Sequence, residues 1–116
     1  MQEIIIWHNP RCRKSREGLQ YLRYRDVEPQ IFQYLKEKFT AEALAQLIEK
    51  SGQPLSDFMR AKEKEFKELG LKGKELSLEE FSRIAVEHPK LLERPIFIRG
   101  EKVVLAPPAE NIDRLL

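Results

Sequence analysis

The sequence of 116 residues contains one cysteine and two histidines, and these small numbers exclude several kinds of site. With Cys12 alone, the chain can form neither an internal disulfide nor a zinc site built from several cysteines. His8 and His88 are separated by most of the chain and do not form a metal-ligand spacing. We therefore expect no metal site.

Strong charge bias and long apolar runs are also missing. Twenty-one basic and nineteen acidic residues leave a formal net charge of +2, which does not favour nucleic acid or an anionic membrane as the partner. No apolar run approaches the roughly 20 residues of a membrane span, and the short start Met1–Trp7 contains Glu3, unlike a signal peptide. We expect a cytoplasmic monomer with one domain over residues 1–116.

The N-terminal third has the pattern of a βαβ unit. Ile4–Trp7 is a continuously apolar run that predicts a strand buried on both faces. Leu19 and Leu22 lie at helical spacing among charged residues, which predicts a helix from Lys14 to about Arg25. Gln30–Leu35 then predicts a second, parallel strand after a right-handed crossover.

Helices are predicted in the middle of the chain, with bounds set by capping and helix-breaking residues. They run from Thr40 to Gly52, from Leu55 to Gly70, and from the Ser77–Glu80 capping box to His88–Pro89.

The C-terminal part predicts a hairpin and a final helix. Pro95–Ile98 and Lys102–Leu105 are the two strands, and Gly100-Glu101 between them suits a type II′ turn. Pro107-Pro108 is expected to open a helix that carries Ile112, Leu115 and Leu116. The predicted fold is α/β and thioredoxin-like (glutaredoxin-like), with a small mixed sheet and a helical insertion at about 38–92.

Cys12 lies where the first strand ends and the first helix begins. A helix N-terminus directs unpaired N–H groups at such a residue and lowers the pKa of a thiol. Arg11, Arg13, Lys14 and Arg16 raise the positive potential around it, and Ser15 is placed one turn along to donate a hydrogen bond. This pattern favours a reactive thiolate, and the same site suits phosphate-like oxyanions.

Less specific interpretations remain open for these residues. A lone cysteine is often a small core residue, and the basic cluster is also compatible with a solvated helix face. His8 has two interpretations. It either interacts with the thiolate or shuttles a proton, or it only caps the loop through a backbone hydrogen bond. His88 is interpreted as structural or exposed.

The spacing around Cys12 excludes an internal dithiol and disfavours phosphatase chemistry. Ser15 stands where a dithiol oxidoreductase has its second cysteine, so an oxidised Cys12 requires a thiol from another molecule. A cysteine-phosphatase loop needs arginine six positions after the nucleophile, where this chain has Gly18.

The motif His8-Asn9-Pro10-x-Cys12-x-x-Ser15-Arg16 resembles the glutaredoxin-dependent arsenate reductase (ArsC) family, which is related to the Spx class. The resemblance continues in the same order along nearly the whole chain. It includes Gln33-Tyr34-Leu35, Leu55-Ser56-Asp57-Phe58-Met59-Arg60, His88-Pro89-Lys90-Leu91-Leu92 and Glu93-Arg94-Pro95-Ile96.

The resemblance implies a role for each matching residue. Cys12 corresponds to the nucleophile that forms a thiol–arsenate adduct, and His8 and Ser15 to groups that tune it. Arg60 and Arg94 correspond to arginines that bind the oxyanion, whose charge guanidinium groups neutralise. The family binds no cofactor and uses glutathione and glutaredoxin as external reductants.

Two positions carry further expectations. Because thioredoxin-like folds commonly place a cis proline beside the active cysteine, we predict a cis Arg94–Pro95 bond. Pro107 stands at the position that corresponds to the family's third oxyanion arginine, and the loss of such a charged partner typically costs on the order of 1.5–3 kcal/mol. Arg11 and Arg99 are the candidates to compensate.

Three functions are therefore compatible with the sequence. The first is arsenate reduction through Cys12, with arsenate or a similar oxyanion as substrate. The second is glutathione-dependent thiol exchange on another substrate, which needs no complete oxyanion cradle and is favoured by Pro107. The third is a non-catalytic, Spx-like regulator that docks on RNA polymerase, and Ser15 counts against a disulfide switch of that class.

Overall fold

The computed structural model describes residues 3–106 and 108–116, and the chain forms two compact units. The first consists of Met1–Glu37 with Arg94–Leu116, and the second of Lys38–Glu93. The second unit covers the segment in which the sequence places the helical insertion. Among the described residues, no helix is long and apolar enough to cross a membrane.

A mixed sheet of four strands lies in the first unit, in the order β2-β1-β3-β4. The strands are β1 (Ile5–Trp7), β2 (Gln30–Phe32), β3 (Ile96–Arg99) and β4 (Lys102–Leu105). Strand β1 is parallel to β2 and antiparallel to β3, and β3 is antiparallel to β4. This is the α/β, thioredoxin-like fold predicted from the sequence.

Helix α1 (Arg13–Tyr24) connects the two parallel strands and has one buried face. Ser15, Gly18, Leu19 and Leu22 are its buried residues, and their spacing of three and four places them on one side of a helix. Leu19 and Leu22 belong to a core that also contains residues of β1, β3, β4 and the C-terminal turn. Burial of this face therefore fixes the start of α1 against the sheet.

Strand β2 is shorter than predicted, because the chain turns after Phe32. The N–H groups of Lys36 and Glu37 donate to the carbonyl of Gln33 at 2.9 Å each, and the Gln33 N–H donates to the Glu37 carboxylate at 2.8 Å. These bonds form a turn and remove residues 33–35 from the strand. The predicted strand end at Leu35 is wrong.

The second unit contains α2 (Ala41–Ser51), α3 (Lys64–Glu68) and α4 (Leu78–Glu87), with short 3-10 turns at Leu55–Phe58 and Pro89–Leu91. The predicted caps are confirmed. Thr40 accepts a hydrogen bond from the Ala43 N–H at 3.1 Å, and Gly52 ends α2 with φ +70°. Ser77 and Glu80 form the capping box of α4.

The predicted single helix from Leu55 to Gly70 is interrupted. Met59 forms an antiparallel bridge with Leu92, and the Arg60 N–H donates to the Leu91 carbonyl at 2.8 Å. Because these bonds require extended backbone at Met59, the helix cannot continue through this point.

The C-terminal hairpin agrees with the sequence, whereas the last helix differs in type. Gly100 has φ +60°, as the first central position of a type II′ turn requires. Ala109–Leu115 is a 3-10 helix rather than an α-helix. Its Ile112 and Leu115 are buried, but Leu116 is exposed.

Helix α1 approaches strand β3 so closely that Gly18 has no room for a side chain. A methyl group there would lie 2.8 Å from Cζ of Phe97 and 3.2 Å from Cγ of Pro95. Both rings are buried, so neither can move aside without disturbing the core.

We therefore expect Gly18→Ala to destabilise the protein by about 1 kcal/mol, the difference between an overpacking cost of about 1–3 kcal/mol and a helix-propensity gain near 1 kcal/mol. Urea unfolding measures this change. Gln20→Ala, at an exposed position of the same helix, is the control and should leave the free energy of unfolding nearly unchanged. Greater stability in Gly18→Ala would contradict the close packing.

Candidate functional site

Cys12 lies at the N-terminus of helix α1, directly before its first residue. Its backbone is extended, with φ −92° and ψ 124°, and its N–H donates to the Asn9 carbonyl at 2.9 Å. The first turn of α1 contains no acidic residue. A thiolate at this position is therefore close to the positive end of the helix dipole.

The surroundings of Cys12 lower the pKa of its thiol. Partial burial opposes the charged form and raises the pKa. This effect is outweighed by the Ser15 N–H, by a hydrogen bond and the positive charge of Arg94, and by the Lys14 N–H. The net result is a thiol that ionises more readily than an ordinary cysteine.

Arg94 reaches this site from a position two residues before strand β3. The Arg94–Pro95 peptide bond is cis, which is the geometry expected from the sequence. Pro95 is fully buried, and its carbonyl accepts the N–H of Ala106 at 3.1 Å. Arg94 and Cys12, far apart in the sequence, are thus brought together by the fold.

Ser15 forms a buried hydrogen-bonding centre beneath the cysteine loop. Its side chain is completely buried. Its Oγ lies 2.7 Å from His8 Nδ1 and accepts the Asn9 N–H at 3.0 Å. The hydroxyl therefore joins the end of β1 to the first turn of α1, while the Ser15 N–H acts on the thiolate.

His8 is buried at the end of β1, with 6% of its surface exposed. Burial lowers its pKa, and the charges of Arg23 and Arg16 lower it further. A neutral imidazole is thus favoured at neutral pH. Its hydrogen bond is to the Ser15 side chain and not to the backbone as the structural interpretation expected, and it links His8 indirectly to Cys12.

The remaining candidates occupy other environments. Arg60 lies in the second unit, where its guanidinium is 3.5 Å from the Glu63 carboxylate and 4.0 Å from that of Glu93. The side chain of Arg11 is exposed next to Cys12. His88 is half-buried in the second unit, 3.8 Å from Glu65. Pro107 lies outside the described residues.

Arg99 is placed away from the cysteine loop. In the pairing of β1 with β3, Trp7 at the loop end faces Ile96, whereas Ile5 faces Ile98. Arg99 therefore lies at the opposite end of the sheet, where it donates to the Leu115 carbonyl at 2.5 Å. This position does not support Arg99 as a replacement for the missing arginine.

The structure also distinguishes basic residues that the sequence treats as one cluster. Arg13 forms an exposed ion pair with Glu17 at 2.9 Å, whereas Arg16 donates to the Pro10 carbonyl at 3.1 Å.

Asn9, interpreted from the sequence only as a turn residue, forms hydrogen bonds with Arg11, Cys12 and Ser15. An asparagine before proline signals such a turn, but not which groups it binds.

Taken together, Cys12, Ser15 and Arg94 can hold a thiolate beside a guanidinium group. Such a sulfur is a good nucleophile, and the nearby cation reduces repulsion from an approaching anion. Among the described residues, no three histidine, cysteine or acidic side chains are grouped to hold a metal.

Comparison with known proteins gives consistent matches. The ArsC family model matches residues 7–115. An arsenate reductase of Haemophilus influenzae is 36% identical over 114 residues, covering 97% of this chain and 98% of that protein. One of Neisseria meningitidis is 38% identical over 117 residues, covering 100% of both. The structure of an arsenate reductase from Vibrio cholerae has a TM-score of 0.91 and 35% identity, covering 99% and 98% of the two chains.

We expect Arg94→Gln to raise the pKa of Cys12 toward the ordinary thiol value of about 8.5, because the thiolate loses a hydrogen bond and a positive charge. The rate of alkylation by iodoacetamide, followed against pH, measures this pKa. Lys102→Gln removes the same charge from an exposed position on β4 and is the control. Equal alkylation profiles for wild type and Arg94→Gln would disprove the contribution of Arg94.

Ser15→Ala is expected to lower the free energy of unfolding by about 1–3 kcal/mol, because the buried His8 Nδ1 and the partly buried Asn9 N–H lose their common partner. Chemical denaturation measures the loss. Ser56→Ala, at an exposed position, is the matched control. A loss no larger than that of Ser56→Ala would show that the Ser15 hydroxyl contributes little.

Proposed function

Because the chain belongs to the ArsC family, we propose that it is an arsenate reductase in which Cys12 is the nucleophile. The proposal is carried by one observation, the Arg94 guanidinium beside Cys12, whose hydrogen bond and positive charge lower the pKa of the thiol. A cation at that point stabilises the thiolate and balances the charge of an oxyanion as it approaches. The arsenate reductase names of the relatives supply the substrate class.

In the first proposed step, the Cys12 sulfur attacks arsenate. A sulfur–arsenic bond forms as the bond from arsenic to one arsenate hydroxyl breaks. That hydroxyl leaves as water with a proton from solvent, which replaces the proton that the thiol released on ionising. No electrons are transferred to arsenic at this stage. Arg94 stabilises negative charge on the arsenate oxygens, since its planar fork of donors matches a tetrahedral oxyanion.

In the second proposed step, a glutathione thiol attacks the Cys12 sulfur of the adduct. The electron pair of the sulfur–arsenic bond passes to arsenic, which leaves as arsenite, and the glutathione proton goes to an arsenite oxygen. The two sulfurs are oxidised to a mixed disulfide, which glutaredoxin then reduces by thiol–disulfide exchange. An external thiol is needed because the chain contains no second cysteine.

The other proposed oxyanion ligands rest on the family resemblance. We assign Arg60 as a second ligand and Arg11 as a candidate third, because Pro107 stands at the third arginine position of the family. We place the reaction in the cytoplasm, where glutathione keeps thiols reduced, and we expect the protein to act as a monomer.

Arsenate-dependent oxidation of NADPH, coupled through glutathione, glutaredoxin and glutathione reductase, tests the proposal. We expect turnover that requires both thiol components and is abolished in Cys12→Ser, because a serine hydroxyl stays protonated at neutral pH and is a poor nucleophile. Folding of the variant is checked by its unfolding midpoint, so that loss of activity reports chemistry.

Two results would contradict arsenate reduction and favour an alternative. Absence of turnover in wild type, together with rapid reaction of Cys12 with glutathione disulfide at neutral pH, would indicate thiol exchange on another substrate. Absence of both activities, together with capture of RNA polymerase, would indicate the regulator related to the Spx class.

A further inference from the structure

The peptide unit between Pro10 and Arg11, just before Cys12, is held at both of its polar ends. The Arg11 N–H donates to Oδ1 of Asn9 at 3.0 Å. The Pro10 carbonyl accepts a hydrogen bond from Nη1 of Arg16 at 3.1 Å. Because a peptide unit is planar, two bonds at opposite ends determine its rotation about the chain axis.

Asn9 binds the loop through its backbone as well as its side chain. Its carbonyl accepts the Cys12 N–H at 2.9 Å, and its N–H donates to the buried Ser15 Oγ at 3.0 Å. One residue thus binds the N–H groups of Arg11 and Cys12. An asparagine oxygen provides this turn without the negative charge that aspartate would place near a thiolate.

Arg16 differs from its neighbour Arg13 in what it contacts. Both are exposed on helix α1, but Arg13 pairs with Glu17 on the same helix at 2.9 Å. Arg16 instead reaches back across the start of the helix to the Pro10 carbonyl. The two arginines contribute equal charge, and only Arg16 contacts the loop.

We propose that Asn9 and Arg16 are positioning residues for Cys12, which together hold the Pro10–Arg11 peptide unit in one orientation. This inference uses the proposed function only in taking Cys12 as the nucleophile. With the peptide unit held, Cys12 keeps its extended backbone at the helix start. The N–H groups of Lys14 and Ser15 then remain directed at its sulfur.

Release of the peptide unit has a defined consequence for the thiolate. If its bonds to Asn9 and Arg16 are removed, the unit can rotate, and the backbone at Cys12 samples other orientations. The sulfur then accepts hydrogen bonds from the helix N–H groups for a smaller fraction of the time. Because hydrogen bonds to the charged form favour ionisation, the thiolate fraction at neutral pH falls.

The test compares wild type with Asn9→Ala, Arg16→Gln and Arg13→Gln. Two quantities are measured, the rate of Cys12 alkylation by iodoacetamide as a function of pH and the hydrogen exchange of the Arg11 amide by NMR. We expect Asn9→Ala to lower the alkylation rate at pH 7 about three- to tenfold, equivalent to about 0.5–1 pH unit in the profile. Its Arg11 amide should exchange faster.

Arg13→Gln is the matched charge control for Arg16→Gln, since both remove one positive charge from the same helix. We expect Arg16→Gln to lower the alkylation rate more than Arg13→Gln, and to accelerate Arg11 amide exchange, which Arg13→Gln should not change. Asn9→Asp keeps an acceptor for the Arg11 N–H. It should retain slow exchange while its added charge lowers the alkylation rate.

The inference would be overturned by equal alkylation profiles and equal Arg11 exchange for Arg16→Gln and Arg13→Gln. Unchanged Arg11 exchange in Asn9→Ala would also overturn it. If Asn9→Ala does not fold, Asn9→Ser and Arg16→Gln carry the same test with smaller expected effects. None of these measurements uses arsenate, so failure of the proposed reductase activity and failure of this inference give different results.

Discussion

The buried hydroxyl of Ser15 connects the end of strand β1 to the first turn of helix α1. It lies 2.7 Å from His8 Nδ1 and accepts the Asn9 N–H at 3.0 Å, so both ends of the cysteine loop meet at one atom. A buried polar group must find such partners or destabilise the fold. The same residue directs its N–H at the Cys12 sulfur, and this couples the stability of the loop to the chemistry of the thiol.

Close packing determines the second half of the site. Gly18 allows α1 to approach β3 closely. At this position only the hydrogen atoms of glycine fit against the rings of Phe97 and Pro95, and a methyl group would not. Strand β3 begins at Ile96, two residues after Arg94, so this contact and the pairing of β1 with β3 bring the arginine to Cys12. The backbone donors of α1 and the charge of Arg94 together offset the cost of partial burial of the thiolate.

Much of the local structure could be predicted because its causes lie within a few residues. The cap of α2 at Thr40, the Ser77–Glu80 capping box and the turn at Gly100 all follow from short-range hydrogen bonds or backbone freedom. The helix predicted from Leu55 to Gly70 was wrong because its interruption depends on Leu91 and Leu92, more than 30 residues away. Local periodicity contains no information about such a partner.

The sequence by itself determined the α/β order of elements, the single nucleophile candidate at a strand–helix junction, and the family, since these depend on residue types and their spacing. Only the tertiary structure decided which polar groups meet. It placed Arg94 at the sulfur, bound Arg99 to the Leu115 carbonyl at the other end of the sheet, and gave Arg13 and Arg16 different partners. Hydrogen bonds act over about 3 Å, and that proximity is created by packing of residues distant in the chain.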